Sequence, residues 1–300
     1  MTAGGRLIHI LTRPLAALPL GFHRACGRAF GRFLGRTVRY RRDVVIANLS
    51  RSFPEKKYDE LSSICDRFYE HLATVFCEAI WFGGQSAEKL KASGIVRMTN
   101  PEVLNGYASE GRSVCVMAAH NGNWELYGGY LCYSPDIPLK LREKDVVVVF
   151  KKQTSGAWDS FMGWNRRAPL DDREHFEGMV ETRSVMRHAV THRHEFKIYN
   201  FITDQYPYSP RGIVEDVSFM HQTARAMTGA AAVAHAAGMA VLYLNMAVTD
   251  EGNYTMTYTE ICPDASQEAP ETIVRRFYAL LEKDLEKQPF NYLWTHKRWK

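Results

Sequence analysis
The stretch Ser113-Val-Cys-Val-Met-Ala-Ala-His-Asn-Gly-Asn-Trp-Glu125 carries most of what the sequence says about fold and chemistry. A short apolar run that ends at a turn reads as a buried strand. Asn121-Gly122 then reverses the chain at little cost, because both residue types accept positive φ. Ligands of open α/β sheets bind beyond the carboxyl ends of the strands, where His120 would sit. The turn predicts that Glu125, five residues on, folds back towards the imidazole.

Outward from this stretch the same alternation recurs. Residues 113–118, 146–150, 196–202 and 240–247 read as buried strands, and 254–261 as an edge strand. Residues 123–131, 156–167, 183–191, 224–237 and 271–287 read as helices between or after them. The expected fold is α/β, a mixed central sheet flanked by helices. Upstream, Ser52-Phe-Pro-Glu55 has capping-box spacing, and apolar residues from Leu61 to Ala79 keep helical period until Gly83-Gly84. No linker rich in Pro, Gly or Ser divides the chain. The expected organisation is a segment 1–45 followed by a single α/β domain 46–300, helical over 46–92 and sheet-containing over 93–300.

The first segment is set apart by charge. No acidic residue precedes Asp43, whereas arginines stand at 6, 13, 24, 28, 32, 36, 39, 41 and 42. Arg24, Arg28, Arg32 and Arg36 recur at every fourth position, with Phe22, Phe30, Phe33 and Leu34 around them. That pattern fits an amphipathic helix lying in a headgroup layer, its arginines on anionic lipid. A solvated stripe packed on the body of the protein is the lesser alternative. The apolar run 14–22 is far short of the ~20 residues that a spanning helix needs, and it lacks a cleavage site. The six cysteines show no C-x-x-C pair and read as free thiols of a reducing compartment.

A histidine held by a carboxylate can deprotonate an alcohol, since the carboxylate fixes one ring nitrogen as donor and leaves the other to accept. Spacing alone does not separate that reading of His120 and Glu125 from a surface histidine near an unrelated glutamate. Asp204 closes an apolar run, where a carboxylate is costly unless paired or lining a polar site; a turn aspartate before Tyr206-Pro207 is the plainer alternative. His188, His192 and His194 suggest a metal only weakly, without HExxH or a third ligand of fixed geometry. Cys115 lies mid-strand in an apolar run and reads as core. No phosphate-binding glycine loop occurs, so nucleotide hydrolysis and dinucleotide binding have no support, and the arginines suit lipid at least as well as nucleic acid.

His120-Asn-Gly-Asn-Trp-Glu125 resembles the signature of the bacterial lipid A biosynthesis acyltransferases, the lauroyl and myristoyl transferases of the lysophospholipid acyltransferase superfamily. The likeness runs from Tyr40-Arg-Arg-Asp43 through Thr203-Asp-Gln205 and Met227-Thr-Gly229 to Trp294-Thr-His-Lys-Arg298. It implies acyl transfer from a thioester on acyl carrier protein or coenzyme A to a hydroxyl of a lipid A precursor, with no cofactor beyond that co-substrate. It also implies a place on the cytoplasmic face of the inner membrane. By this resemblance His120 is the general base and Glu125 its orienting carboxylate, with Asn123, Arg166, Asp204 and Arg298 binding substrate. The poorly matching stretch around Asn165 leaves Arg167 as an alternative to Arg166. The carrier's acidic surface would suit the basic C-terminal tail. Other acceptors remain open (an amino-acid lipid, a phospholipid, a pigment-linked hydroxyl), as do a non-catalytic membrane-surface protein and a thiol or metal hydrolase.

Overall fold
The structure, a computed structural model, describes residues 1–207 and 214–299. In chain order the helices are α1 (Ala3–Ala16), α2 (Leu20–Arg32), α3 (Arg42–Ser52), α4 (Tyr58–Phe82), α5 (Ala87–Ser93), α6 (Pro101–Glu110), α7 (Gly156–Asn165), α8 (Val185–Thr191), α9 (Gly229–Ala237) and α10 (Pro270–Lys287). The strands are β1 (Val96–Met98), β2 (Val114–Ala118), β3 (Val146–Phe150), β4 (Met179–Glu181), β5 (Ile198–Ile202), β6 (Val214–Phe219), β7 (Gln222–Met227), β8 (Ala240–Val248) and β9 (Tyr254–Cys262).

Seven strands form one sheet in the order β1-β9-β8-β2-β5-β3-β4. The pairs from β8 through β2, β5 and β3 to β4 are parallel, β9 runs antiparallel to β8, and β1 runs parallel to β9. The expected mixed α/β sheet is therefore present. Strand β2 is buried at every residue because it separates two cores. Cys115 and Met117 face one core, with α3, α8, α9 and α10; Val114, Val116 and Ala118 face the other, with α5 and α6. Burial on both faces explains why this strand is a continuous apolar run rather than an alternating one.

Three expectations need correction. Strand β9 is not an edge: β1 covers its outer side. Residues 224–227 are strand rather than helix. They pair with β6 in a hairpin whose Met220 and His221 both take positive φ, and the helix starts only at Gly229. Ser52 ends α3 instead of capping α4, whose capping box is Lys57 with Glu60.

Helix α2 lies antiparallel along α4. Gly27 and Gly31 make that approach possible, since a Cβ on Gly27 would stand 2.6 Å from Thr74 Cα and one on Gly31 2.3 Å from the Tyr69 carbonyl oxygen. The arginine stripe meets the acidic side chains of α4 in step: Arg24 with Glu78 at 2.7 Å, Arg32 with Glu70 at 2.8 Å, Arg36 with Asp66 at 2.8 Å. Three of the four stripe arginines thus have protein partners, because Asp66, Glu70 and Glu78 share their helical period. Of the apolar residues around the stripe Leu34 packs against the core, and the others stay outside together with one face of α1. Leu7, Ile10, Leu11, Leu15, Phe22, Phe30 and Phe33 are all exposed. Among the described residues no helix is long and apolar enough to cross a membrane.

Candidate active site
Parallel pairing places Ala118 of β2 opposite Ile202 of β5, and the Thr203 amide extends the ladder by donating to the Ala118 carbonyl at 3.0 Å. His120 and Asp204, each two residues past its strand end, therefore emerge side by side. His120 Nδ1 lies 2.8 Å from Asp204 Oδ1. The histidine side chain is 15% exposed and the aspartate 3%. Burial by itself would raise the Asp204 carboxyl, but the His120 ring and the backbone amides of His120 and Asp204 outweigh it and hold the group below the usual carboxylate range. An ionised carboxylate only accepts hydrogen bonds, so Nδ1 carries the ring proton and Nε2 presents its lone pair. The Gln205 amide stands 3.3 Å from that Nε2, and Trp124 packs edge-on against the ring at 5.2 Å between centroids. Tyr127 and Tyr292 lie close enough that burial first, and the Asp204 charge second, push their hydroxyls above the ordinary range.

Glu125 is elsewhere. Its two oxygens accept from Arg166, Nε to Oε2 and Nη2 to Oε1, each at 2.8 Å. The carboxylate on the imidazole is thus Asp204, and the expected fold-back of Glu125 onto His120 is corrected. The 3₁₀ helix Trp124–Cys132 carries Glu125 inward to α7, where Arg166 follows the last turn. Burial would lower the Arg166 pKa, and the Glu125 charge reverses that and raises it. Arg167 instead donates to the Gly163 and Arg173 carbonyls, so of the two it is Arg166 that meets Glu125.

The turn between His120 and Glu125 is held from several sides. Gly122 has φ +61°, and any Cβ there would lie 2.4 Å from Met246 Cγ. Its amide donates to Asn291 Oδ1, and its carbonyl lies 3.1 Å from the His71 ring. Asn123 caps the 3₁₀ helix by accepting from the Glu125 amide at 3.2 Å, and donates to Glu78 at 2.8 Å. Glu78 is fully buried and also accepts from Tyr254 (2.7 Å) and Arg24. A chain of contacts therefore runs from α2 through Glu78 and Asn123 to the turn between His120 and Glu125. Sequence reasoning missed Glu78, although an acid among the inward positions of α4 (Val75, Ala79 and Phe82) was the available signal.

Arg298 meets the pair only at one remove, through the Tyr278 hydroxyl, which donates to the Thr203 carbonyl at 3.4 Å. It is 1% exposed and donates to the Arg225 carbonyl and, at 2.7 Å, to the Tyr278 hydroxyl. Trp294 is likewise buried, so within the tail only Lys297 is exposed among the described residues. The His188 and His192 rings stack at 4.1 Å, with His188 Nδ1 on Tyr199 and His192 Nδ1 on the His188 carbonyl. Cys115 is buried, and burial pushes its thiol far above the usual range, which leaves no nucleophile there. Cys26 is the exposed member of six free cysteines.

The family model for bacterial lipid A biosynthesis acyltransferase matches residues 3–300 of the chain. No curated protein matches it.

Proposed function
The chain belongs to the bacterial lipid A biosynthesis acyltransferase family and is an acyltransferase; on that premise we propose that it moves a fatty acyl chain from acyl carrier protein to a hydroxyl of a lipid A precursor. The observation that carries the mechanism is the pair of His120 and buried Asp204 at the ends of adjacent strands. Nε2 of His120 takes the proton of the acceptor hydroxyl as its oxygen attacks the thioester carbonyl. Asp204 balances the imidazolium that results. The tetrahedral intermediate then collapses, the C–S bond breaks, and the proton passes from His120 to the leaving thiolate. No acyl-enzyme forms. Glu125 acts in this reading as a positioning residue: its two bonds fix the Arg166 guanidinium, whose side chain is 28% exposed, for a polar group of a substrate.

The reaction is placed at the cytoplasmic face of the inner membrane, with the protein peripheral to it. The exposed apolar faces of α1 and α2 support that placement. Acyl transfer by purified protein, with a radiolabelled lipid A precursor and acyl carrier protein thioesters, tests the reading. Wild type should lengthen the lipid, and His120→Ala should do so ~10²–10⁴-fold more slowly. Near-normal turnover in that variant would remove the mechanism; no product from folded wild type would remove lipid A as acceptor.

A further inference from the structure
A cavity of about 700 Å³ opens between α1, the α4–α5 turn and the loop after α7, and His120, Asp204 and Glu125 are not among its lining residues. Its ionisable lining is His9, Arg13, Lys89 and Arg173, and none of the described lining residues is acidic. Arg13, Lys89 and Arg173 form no ion pair among the described residues; Arg173 instead rests 4.5 Å over the Trp164 ring. Burial, and then the Arg173 and Arg13 charges, lower the His9 pKa, as expected where positive charge is unbalanced. The remaining wall is partly apolar, with Ala16, Leu18 and Trp81.

One helix joins this cavity to the outside. His9, Arg13 and Ala16 stand on one face of α1 and line the cavity, while Leu7, Ile10, Leu11 and Leu15 on the other are 46–65% exposed. A ligand that satisfies both sides has an anionic head and an apolar body. A carboxylate would leave two of the three permanent cations unanswered, whereas a phosphate monoester carries about −1.5 to −2 charges and three acceptor oxygens.

We propose that this cavity holds the phosphate group of an amphiphile whose acyl chains run out over the exposed face of α1. The inference rests on the reading of the acceptor as a lipid and gives its anionic head a place; the test omits the acyl donor, so its outcome is separate from turnover. The full chain in neutral detergent micelles is titrated with fluorescent short-chain phosphatidic acid, with diacylglycerol of the same chains, and with inorganic phosphate as competitor. Wild type should prefer phosphatidic acid by at least ~10-fold, and Arg13→Gln with Arg173→Gln should abolish the preference while leaving diacylglycerol binding unchanged. Lys89→Gln, a single change on another helix, should weaken phosphatidic acid ~3-fold or more even where the double variant fails to fold. Equal affinity for the two lipids, or an undiminished preference in a folded double variant, overturns the proposal. Displacement of the lipid by an equal concentration of inorganic phosphate overturns its lipid half.

Discussion
An imidazole that is to take a proton needs a negative partner on its far nitrogen, and Asp204 occupies that place with 3% exposure. Asp204→Asn keeps the shape and removes the charge, so kcat should fall ~10²–10⁴-fold in the transfer assay, with the protein still folded. Stability should report the same group. A carboxyl held below its ordinary value stabilises the fold above the unfolded pKa and loses that contribution as pH falls through the folded one. The stability gap between wild type and Asp204→Asn, measured by denaturant unfolding, should be open at pH ~5 and close as pH falls below the ordinary aspartate value of 3.8. A gap that widened from pH ~5 to pH ~3 would contradict the assignment. His120 is legible in the sequence because a histidine after an apolar run is conspicuous. Its partner is not: nearness along the chain points to Glu125, whereas the sheet brings together residues 84 apart. Strand pairing is a property of the fold that one sequence does not display.

Helix α2 shows what regular spacing reveals and what it hides. The arginines at every fourth position are plain in the sequence; the glycines at 27, 31 and 35, with the same period, are what seat the helix. Gly31→Ala would push a methyl group onto the Tyr69 carbonyl and should cost about 1–3 kcal/mol, read as a lower midpoint in thermal unfolding. An unchanged midpoint would mean that the two helices separate freely. Glu78 is the next link, with three donors on one buried carboxylate. Glu78→Ala leaves Arg24 and Asn123 without their acceptor and should cost roughly 3–5 kcal/mol, while Arg32→Ala on the exposed end of the same seam should cost under about 1 kcal/mol. Equal effects would deny the seam its buried end. The misplaced capping box has a similar lesson: Ser52 has the right neighbours for a cap, but α3 already runs to it.

Across the whole molecule, the long buried strands are readable because a short apolar run bounded by turns fits little except a strand covered on both faces. The three-residue strands β1 and β4 are not, since so short a segment has no period to show. Exposed apolar surface is concentrated in the first forty residues, which predicts vesicle binding. Ile10→Ser with Leu11→Ser should reduce co-flotation with anionic vesicles at least ~10-fold, from the ~1.5–3 kcal/mol that each buried side chain supplies. Unchanged flotation would move the membrane contact away from α1. The seam between α2 and α4 has a consequence for handling as well. A membrane tether can be cut away and leave a working soluble enzyme, but here the first helices act as a keel. Removing residues 1–40 would take Arg24 from Glu78 and bare the backbone trough that Gly27 and Gly31 fill. What floats free of such a cut should be a protein whose turn between His120 and Glu125 has lost its mooring.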